Sequence, residues 1–342
     1  MTAEINRRIV LAARPQGRPA AADFRLEEAP VPEPGPGQML CRTIYLSLDP
    51  YMRGRMSDAP SYTKPVQVGE VMVGGTVGQV VRSNLDGFAP GDFVVGPGGW
   101  QDYAVFGEGE AQKVDPGVAP ISTTLGVLGM PGQTAYVGLR EIGRPSAGET
   151  LVVAAASGPV GSMVGQIAKI RGCRVVGVAG SKAKCDYVRG ELGFDACLDH
   201  RATDFEDALR AACPDGIDVY WENVGGRVFE AVLPLLNEFA RVPVCGLVAW
   251  YNATELPPGP DRTPLLLRRT LVRRLTIRGF IVWDFEPGDF VSDVAGWIRD
   301  GRVRYREDIR EGLENAPAAL IGLLEGENFG KLLVRVAPDP TR

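Results

Sequence analysis

In the middle of the chain, hydrophobic residues follow a strand pattern and a helix pattern in turn. Leu151 to Ala156 is an unbroken run of small apolar residues, which is typical of a strand buried on both faces of a parallel sheet. Residues 162–170 carry apolar side chains at helical spacing, and Arg174 to Ala179 forms a second strand-like run. Together these segments predict one βαβ unit.

The alternation continues beyond this unit. Helices are predicted at 182–192, 205–212, 228–236, 263–271 and 290–300, and strands at 196–199, 217–221, 240–245 and 276–282. Strands that alternate with helices indicate an α/β fold with a doubly wound parallel sheet.

The two ends of the chain have a β-rich pattern instead. Strand-like runs separated by Pro and Gly are predicted at 8–12, 24–29, 39–48, 68–81, 91–96 and 101–106. Two helices follow at 123–130 and 131–139, separated at Pro131-Gly132, and the tail returns strand-like runs around a helix at 316–324. We therefore predict a β-rich domain at 1–125, a doubly wound domain at 126–303 and a C-terminal return to the β-rich domain at 304–342.

The turn inside the βαβ unit predicts a dinucleotide site. In the fingerprint GxGxxG, the second glycine lets the backbone approach a pyrophosphate and the third lets helix and strand pack closely. Here Gly158 and Gly161 are the second and third glycines, and Ala156 stands in place of the first. Ser157 precedes Gly158 and Val160 precedes Gly161, so both belong to the predicted turn. The alternative is a tight βα turn that binds no dinucleotide.

The end of the second strand favours NADP over NAD. An NAD site usually places Asp or Glu there to hold the ribose hydroxyls, whereas this chain has a hydroxyl and two ammonium groups, on Ser181, Lys182 and Lys184. The alternative is that both lysines lie on a solvated helix start.

Composition narrows the class of protein. A length of 342 residues suggests two domains, and a net charge of −5 argues against a nucleic-acid partner. The N-terminal residues lack the apolar core of a signal peptide, and no run reaches the length of a membrane span. The six cysteines are spread singly without a CxxC pair, which predicts reduced, mostly buried thiols in a cytoplasmic protein.

A series of motifs along nearly the full length gives the chain a family resemblance. It resembles the zinc-independent branch of the medium-chain dehydrogenase/reductase superfamily, in particular the prostaglandin reductase, leukotriene dehydrogenase and curcumin reductase group of double-bond reductases. The matching motifs are LSLDPYMR (46–53), GMPGQTAY (129–136), AASGPVGS (155–162), GQIAK (165–169), ENVGG (222–226), WYN (250–252), LPPGP (256–260) and ENFGKLLV (327–334).

The resemblance implies a fold, a reaction and an assembly. The expected fold is a GroES-like β-rich domain formed by both termini and a central Rossmann domain, with NADPH held in a cleft between them. The expected reaction is hydride transfer to the β-carbon of an α,β-unsaturated ketone or aldehyde. Members of the family are homodimers, often pairing their Rossmann sheets edge to edge.

Metal-ligating residues are scarce, which agrees with a zinc-independent branch. His200 is the only histidine, and Val68-Gly69-Glu70 stands where zinc-dependent members carry Gly-His-Glu. One histidine and scattered cysteines cannot form the Cys/His sites of a zinc alcohol dehydrogenase, so we expect no metal site.

The resemblance also assigns site residues. Lys184 corresponds to the lysine that grips the 2′-phosphate of NADP, with Ser181 beside it. The remaining cofactor contacts carried over are Met130, Gly132 and Thr134 beside the nicotinamide, Asn223 in ENVGG, and Asn328 in ENFGK with Gly330 allowing close approach. For the two asparagines the alternatives are an ordinary turn and an exposed loop.

The chain departs from the family pattern after the third strand. Asp199-His200-Arg201 stands where relatives often have Asn-Tyr beside the adenosine phosphate. His200 or Arg201 can replace the tyrosine by stacking or charge, while Asp199 weakens the NADP preference. The alternative reading of His200 is an ordinary loop histidine.

Two tyrosines are candidates for substrate activation. A hydroxyl near the carbonyl oxygen would stabilise the enolate that forms, and a tyrosine is a donor rather than a base at neutral pH. Tyr251 in WYN is the first candidate, with a wall residue as the alternative. Tyr51 is the second candidate. For Tyr51, and for Arg53 in the same motif, the structural role is the favoured interpretation.

The predicted function is NADPH-dependent reduction of activated C=C bonds. Two alternatives stay open: an NADPH quinone reductase, which shares fold and cofactor, and a non-catalytic NADPH-binding protein. The motifs LPPGP, WYN and LSLDPYMR favour the double-bond reductases over the quinone reductases.

Overall fold

The computed structural model describes residues 5–257 and 259–342, which form two compact units. One unit contains the described residues up to Gly126 together with Glu307–Arg342, and the other contains Val127–Arg306. The N-terminal part of the first unit has the elements β1 (Ile5–Leu11), β2 (Phe24–Pro30), β3 (Met39–Ser47), α1 (Tyr51–Arg55), β4 (Thr76–Ser83), β5 (Phe93–Gly96), β6 (Tyr103–Phe106) and β7 (Gln112–Val114).

The second unit alternates helices and strands, as predicted. Its elements are α2 (Met130–Gly138), β8 (Thr150–Ala154), α3 (Pro159–Ile170), β9 (Arg174–Ala179), α4 (Lys182–Gly190), β10 (Ala196–Asp199), α5 (Phe205–Ala212), β11 (Ile217–Trp221), α6 (Gly226–Val232), β12 (Leu236–Val244), α7 (Thr263–Arg273), β13 (Thr276–Gly279) and α8 (Phe290–Arg299). The chain then returns to the first unit with β14 (Glu307–Glu311), α9 (Ala316–Leu324) and β15 (Lys331–Arg335).

A six-stranded parallel sheet forms the centre of the second unit, in the order β10-β9-β8-β11-β12-β13. This order confirms the doubly wound Rossmann fold. In β8, Leu151 and Val153 pack into one apolar cluster, while Val152 and Ala154 pack into another. Successive side chains of a strand point to opposite faces of the sheet. Because helices cover both faces here, residues 151–154 of β8 must all be apolar, which explains the unbroken apolar run.

Both chain ends contribute to the main sheet of the first unit. Its order is β14-β15-β3-β4-β5-β7, with β6 also paired to β3. The C-terminal strand β15 lies antiparallel to β3, with Leu333 opposite Ser47. The β-rich class predicted for these segments is therefore confirmed.

Several predicted elements were wrong in their bounds or type. The helices predicted at 123–130 and 131–139 are a 3₁₀ helix at Ile121–Leu125 and the single helix α2. Pro131 does not break α2 but lies in its first turn, where its missing N–H costs no hydrogen bond.

Errors elsewhere have similar local causes. The strand predicted at 68–81 begins only at Thr76, because Gly69 is left-handed at φ 91° and the preceding segment makes no more than an isolated bridge at Val71. The short helix α1 was not predicted. The helix predicted at 228–236 ends at Val232, a 3₁₀ helix follows at Leu233–Leu235, and β12 begins at Leu236 instead of 240. Strand β13 ends at Gly279, ahead of the predicted 282.

The cysteines agree with the prediction of reduced thiols. Cys245 is partly exposed, the other five are buried, and all six are free. Within the described ranges, no helix is both long and apolar enough to cross a bilayer.

Candidate cofactor and substrate site

The turn between β8 and α3 presents backbone N–H groups. Ala155 follows the strand at φ 53°, and its carbonyl accepts a hydrogen bond from the amide of Gly158 at 2.9 Å. Helix α3 starts with Pro159 and has no side-chain cap among the described residues. The amides of Val160 and Gly161 therefore lack intrahelical partners, as at any helix start, and are available to an anion.

Steric crowding explains the two glycines of this turn. A Cβ on Gly161 would lie 2.3 Å from the carbonyl oxygen of Ala155, which is a backbone atom that cannot yield. A Cβ on Gly158 would lie 3.2 Å from the same oxygen, so this position is tight but less restricted. The third glycine of the fingerprint thus has the role predicted for it, close packing of helix against strand.

A glycine on the neighbouring strand compensates for the missing first glycine of the fingerprint. Ala156 is buried, and its methyl lies 2.8 Å from the place that a Cβ on Gly177 would occupy. Because Gly177 in β9 has no side chain, the methyl of Ala156 fits without displacing the turn. Ser157, the next residue, is also buried.

Residues predicted to hold the 2′-phosphate converge at Gly180, directly after β9. Ser181 caps α4, its Oγ accepting a hydrogen bond from the amide of Lys184 at 3.3 Å. A Cβ on Gly180 would lie 3.2 Å from Nε2 of His200 and 3.6 Å from Cζ of Arg201. The structure therefore brings together a hydroxyl, an imidazole and cationic side chains that a helix start alone would not assemble.

The departure at 199–201 adds one carboxylate and one guanidinium, and a second arginine lies beside it. The carboxylate of Asp199 accepts a hydrogen bond from the amide of Arg201 at 2.9 Å, so one of its oxygens serves the local turn. Arg227, which had not been predicted, donates to the carbonyls of His200 and Ala202, each at 3.1 Å. Burial and the neighbouring cations lower the pKa of His200.

Lys182 differs from the other predicted phosphate contacts. Its Nζ lies 2.6 Å from the carboxylate of Asp186, one turn further along α4, and its side chain is 89% exposed. The pair is an ordinary (i, i+4) ion pair on a helix surface. The solvated alternative therefore describes Lys182.

Helix α2 holds the residues predicted to lie beside the nicotinamide. Thr134 donates its hydroxyl to the carbonyl of Met130 at 2.7 Å, inside the helix. A Cβ on Gly132 would lie 2.0 Å from the carbonyl oxygen of Val127, so packing alone requires this glycine. Helix α2 packs against α3, which starts at the glycine turn.

Asn223 links the ends of β11 and β8 through side-chain hydrogen bonds. Its Oδ1 accepts from the indole of Trp221 at 3.1 Å, and its Nδ2 donates to the carbonyl of Ala154 at the end of β8 at 2.8 Å. The buried carboxylate of Glu222, whose pKa burial raises, accepts from the amides of Val224 and Gly225. The ENVGG motif therefore shapes the carboxyl edge of the sheet, where ligands of such folds bind.

Tyr251 lies in the loop after β12, directly after a short 3₁₀ helix at Val248–Trp250. A Cβ on Gly246 would lie 3.2 Å from its hydroxyl. The neighbouring Trp250 approaches Gly225, whose φ of 78° and 2.6 Å approach to the indole nitrogen both exclude a side chain. The LPPGP motif begins at Leu256, five residues after Tyr251, and its Pro258 lies outside the described residues.

In the first unit, Tyr51 begins α1 and is partly buried. Burial, followed by the nearby carboxylate of Asp49, raises the pKa of Tyr51. Arg53, on the same helix, donates Nε and Nη2 to the carbonyl of Gly17 at 3.2 and 2.8 Å, which supports the structural role. Asn328 donates to the carbonyl of Gly330 at 2.8 Å, where φ is 89°.

Sequence reasoning missed residues that act across the fold. Arg227 and the buried pair Asp49 and Lys331 were not singled out, although Asp49 and Lys331 each belong to a family motif. The available signal was that Asp49 and Lys331 each stand alone among apolar neighbours in the sequence. Because buried charges are almost always paired, this pattern could have predicted that the two residues meet.

The central unit belongs to the class of Rossmann domains that carry a glycine turn at the first crossover. Two family descriptions match the chain: "N-terminal domain of oxidoreductase" at residues 7–114 and "Zinc-binding dehydrogenase" at residues 159–298. Within the two described ranges, no group of three or more His, Cys, Asp or Glu side chains is placed to hold a metal ion.

Similar proteins extend over the whole chain. The chain is 58% identical to the NADPH-dependent curcumin reductase of Escherichia coli over 98% of both sequences, and 38% identical to the NADP⁺-dependent 2-alkenal reductase of Nicotiana tabacum over 98% of both. The solved structure of CurA from Vibrio vulnificus in complex with NADPH is 54% identical, with a TM-score of 0.94 over 97% of this chain and 100% of that one. The chain belongs to the zinc-independent double-bond reductases of the medium-chain dehydrogenase/reductase superfamily.

Proposed function

We propose that this protein reduces the C=C bond of α,β-unsaturated ketones and aldehydes with NADPH. By its family, the chain is an NADP-dependent oxidoreductase. The observation that carries the narrower proposal is the 58% identity to a curcumin reductase over nearly the full length. Curcumin-type and alkenal substrates share an activated double bond conjugated to a carbonyl group.

The residues present fit the cofactor. The amides of Val160 and Gly161 are free to receive the pyrophosphate, and no Cβ occupies the approach at Gly158. Ser181, Lys184, His200 and Arg201 would hold the 2′-phosphate around Gly180, and Met130, Thr134, Asn223 and Asn328 would contact the remainder. When bound, NADPH supplies a hydride for the β-carbon of the substrate.

A tyrosine hydroxyl is the group we propose for the substrate carbonyl. As the β-carbon is reduced, negative charge develops on the carbonyl oxygen, and a hydrogen-bond donor aimed at that oxygen lowers the barrier. Tyr251 is the first candidate and Tyr51 the second. The raised pKa of Tyr51 keeps its hydroxyl protonated through neutral and mildly alkaline pH, which suits a donor.

The test of the proposed function is NADPH consumption, followed by absorbance, with trans-2-alkenals, aryl enones and quinones, repeated with NADH. We expect turnover of enones and alkenals and a clear preference for NADPH. Turnover of quinones alone would replace the proposal with a quinone reductase. Tight NADPH binding without turnover of any substrate would indicate a non-catalytic role.

The tyrosine assignment has its own test. Tyr251→Phe and Tyr51→Phe each remove one hydroxyl with little change in shape. Loss of a donor to the developing charge is expected to lower kcat by about 100-fold or more, with little change in NADPH affinity. A variant with wild-type kcat would identify that tyrosine as a wall residue.

We propose a homodimer that pairs the β13 edges of two Rossmann sheets. All residues of β13 are exposed, Ile277 among them, and in the described part of the chain β13 pairs only with β12. Leu271 and Val272, just before this strand, are also exposed. An open apolar edge favours pairing with another chain.

Sedimentation analysis tests the dimer. Ile277→Asp is expected to produce monomers, whereas Val291→Asp, an exposed apolar position on α8, is the matched control and should leave the dimer intact. A wild-type protein that sediments as a monomer would contradict the proposal.

We place the protein in the cytoplasm. Its six unpaired thiols suit a reducing compartment. Cell fractionation with an antibody to the protein checks this, and recovery from an extracellular or membrane fraction would contradict it.

A further inference from the structure

A lysine lies at the centre of the first unit. Lys331, the first residue of β15, is 3% exposed, and its Nζ lies 2.6 Å from Oδ1 of Asp49 and 2.9 Å from the carbonyl oxygen of Leu48. The two charged residues are 282 positions apart in the chain. Because removing charges from water is costly, such a pair needs nearly complete hydrogen bonding to persist.

The carboxylate of this pair is satisfied on both sides. Its second oxygen, Oδ2, accepts a hydrogen bond from the hydroxyl of Ser47 at the end of β3, which is also buried. Strands β3 and β15 are neighbours in the sheet, so the ladder brings the lysine to the carboxylate. The orientation of Asp49 is therefore fixed by two different partners.

Both candidate site residues of this unit, Tyr51 for the substrate and Asn328 for the cofactor, lie close to the pair in the sequence. Tyr51 follows Asp49 after a single proline, at the start of α1. Asn328 precedes Lys331 in a tight segment, where its side chain donates to the carbonyl of Gly330. Burial raises the pKa of Tyr51, and the carboxylate of Asp49 raises it further.

Stability alone is a weak reason for such a pair. Replacing a buried ion pair with apolar residues of similar volume is often neutral or even stabilising, whereas removing one partner is strongly destabilising. The feature that the two charges share is their place in the chain, since each lies within three residues of a candidate site residue.

We propose that Asp49 and Lys331 form a positioning pair that holds Tyr51 and the Asn328 segment in the geometry required by the reductase reaction. This inference rests on the proposed function. The pair does not touch the substrate; it acts through the start of α1 and the turn before β15.

The test separates positioning from stability by comparing single and double replacements. Lys331→Met leaves the carboxylate unpaired and is expected to lower Tm sharply. Asp49→Leu/Lys331→Met removes both charges and is expected to restore Tm to near the wild-type value. If the pair positions the site, kcat of the double variant for an enone stays reduced by about tenfold or more, since small displacements at a reacting centre are costly. The Kd of NADPH is expected to rise as well, because the Asn328 segment is a proposed cofactor contact.

A background with Tyr51→Phe makes the test sharper. If the pair acts through Tyr51, adding the double replacement to Tyr51→Phe changes kcat by less than about twofold, because coupled residues have non-additive effects. Full additivity, or a double variant with wild-type kcat, would overturn the proposal. Should the double variant fail to fold, Asp49→Asn/Lys331→Gln, which removes both charges and keeps a hydrogen-bonding pair in their place, is used in the same comparison.

A readout without turnover keeps this inference distinct from the proposed function. In protein labelled with fluorotyrosine, the resonance of Tyr51, assigned with Tyr51→Phe, is expected to be sharp in the wild type and shifted or broadened in the double variant. An unchanged resonance overturns the positioning role even if the enzyme reduces enones. Absence of enone turnover in the wild type overturns the proposed function, and with it the catalytic purpose of the pair.

Discussion

Two regions of the molecule present candidate site residues by opposite means. The turn at 155–161 in the Rossmann unit is made of backbone: a strand end, a left-handed alanine, glycines and the open amides of a helix start. The region around Asp49 in the β-rich unit is made of side chains, held by an ion pair between distant parts of the chain.

The two regions therefore differ in what they tolerate. A backbone turn has no side chain to remove, and it is damaged by an added atom, because the carbonyl of Ala155 leaves no space beside Gly161. A buried ion pair is damaged by subtraction of one partner, while the loss of both can leave stability intact. The following predictions test this contrast, starting with the largest expected effect.

Gly161→Ala is expected to weaken NADPH binding by about 100-fold or more, because the methyl forces the helix start away from the strand and displacements near 1 Å are costly. Isothermal titration with NADPH measures this. Gly190→Ala, at a helical glycine with nothing near its Cβ position, is the matched control and should bind as the wild type does. Equal affinities for the two variants would show that the turn can accommodate a methyl group at residue 161.

Lys184→Ala is expected to raise the Kd of NADPH by roughly 10- to 100-fold, as expected for a lost charge-assisted hydrogen bond, and to leave the Kd of NADH almost unchanged. Fluorescence titration with both cofactors provides the comparison. Arg189→Ala removes a cation from the far end of the same helix, where it pairs with Asp186, and should affect neither Kd. Parallel losses for NADPH and NADH would refute a role specific to the phosphate.

Ser47→Ala is expected to lower the free energy of unfolding by about 1–3 kcal/mol, because it leaves one oxygen of the buried Asp49 without its donor. Urea unfolding followed by circular dichroism gives this value. The affinity for NADPH should fall by less than this free energy, since Ser47 is not among the proposed cofactor contacts. A loss of affinity larger than the loss of stability would contradict the separation of the two regions.

The smallest expected effect concerns pH. Burial and the cations of Arg201, Arg227 and Lys184 lower the pKa of His200 against the opposing effect of Asp199, so the imidazole is neutral in the free protein at neutral pH. A bound phosphate dianion favours the imidazolium and raises that pKa, so binding takes up a proton and NADPH affinity increases as pH falls.

The gain attributable to His200 is below about tenfold for each pH unit, because a single proton is involved. Calorimetry in buffers of different ionisation enthalpy measures the proton uptake. His200→Asn should lose this component and retain only the titration of the phosphate itself. Identical pH profiles in wild type and variant would place His200 outside the phosphate site.

Much of the Rossmann unit was predictable because its determinants are local. The apolar run of β8, the face of α5 formed by Phe205 and Leu209, and the glycine turn are each encoded within a short segment. The family motifs also directed attention to Tyr51 and Asn328. Predictions failed where one residue type permits two conformations, as at Pro131, which was expected to break a helix and instead starts one.

By itself, the sequence determined the class of fold, the position of the crossover turn and the absence of an acidic residue after β9. These depend on periodicity and on residues adjacent in the chain, which keep their relation in any fold of that class. Only the tertiary structure decided that Gly177 makes room for Ala156, that Arg227 joins the loop at His200, and that Lys331 meets Asp49. Such contacts join segments far apart in the chain, and sheet order and register, which set them, depend on the packing of the whole unit.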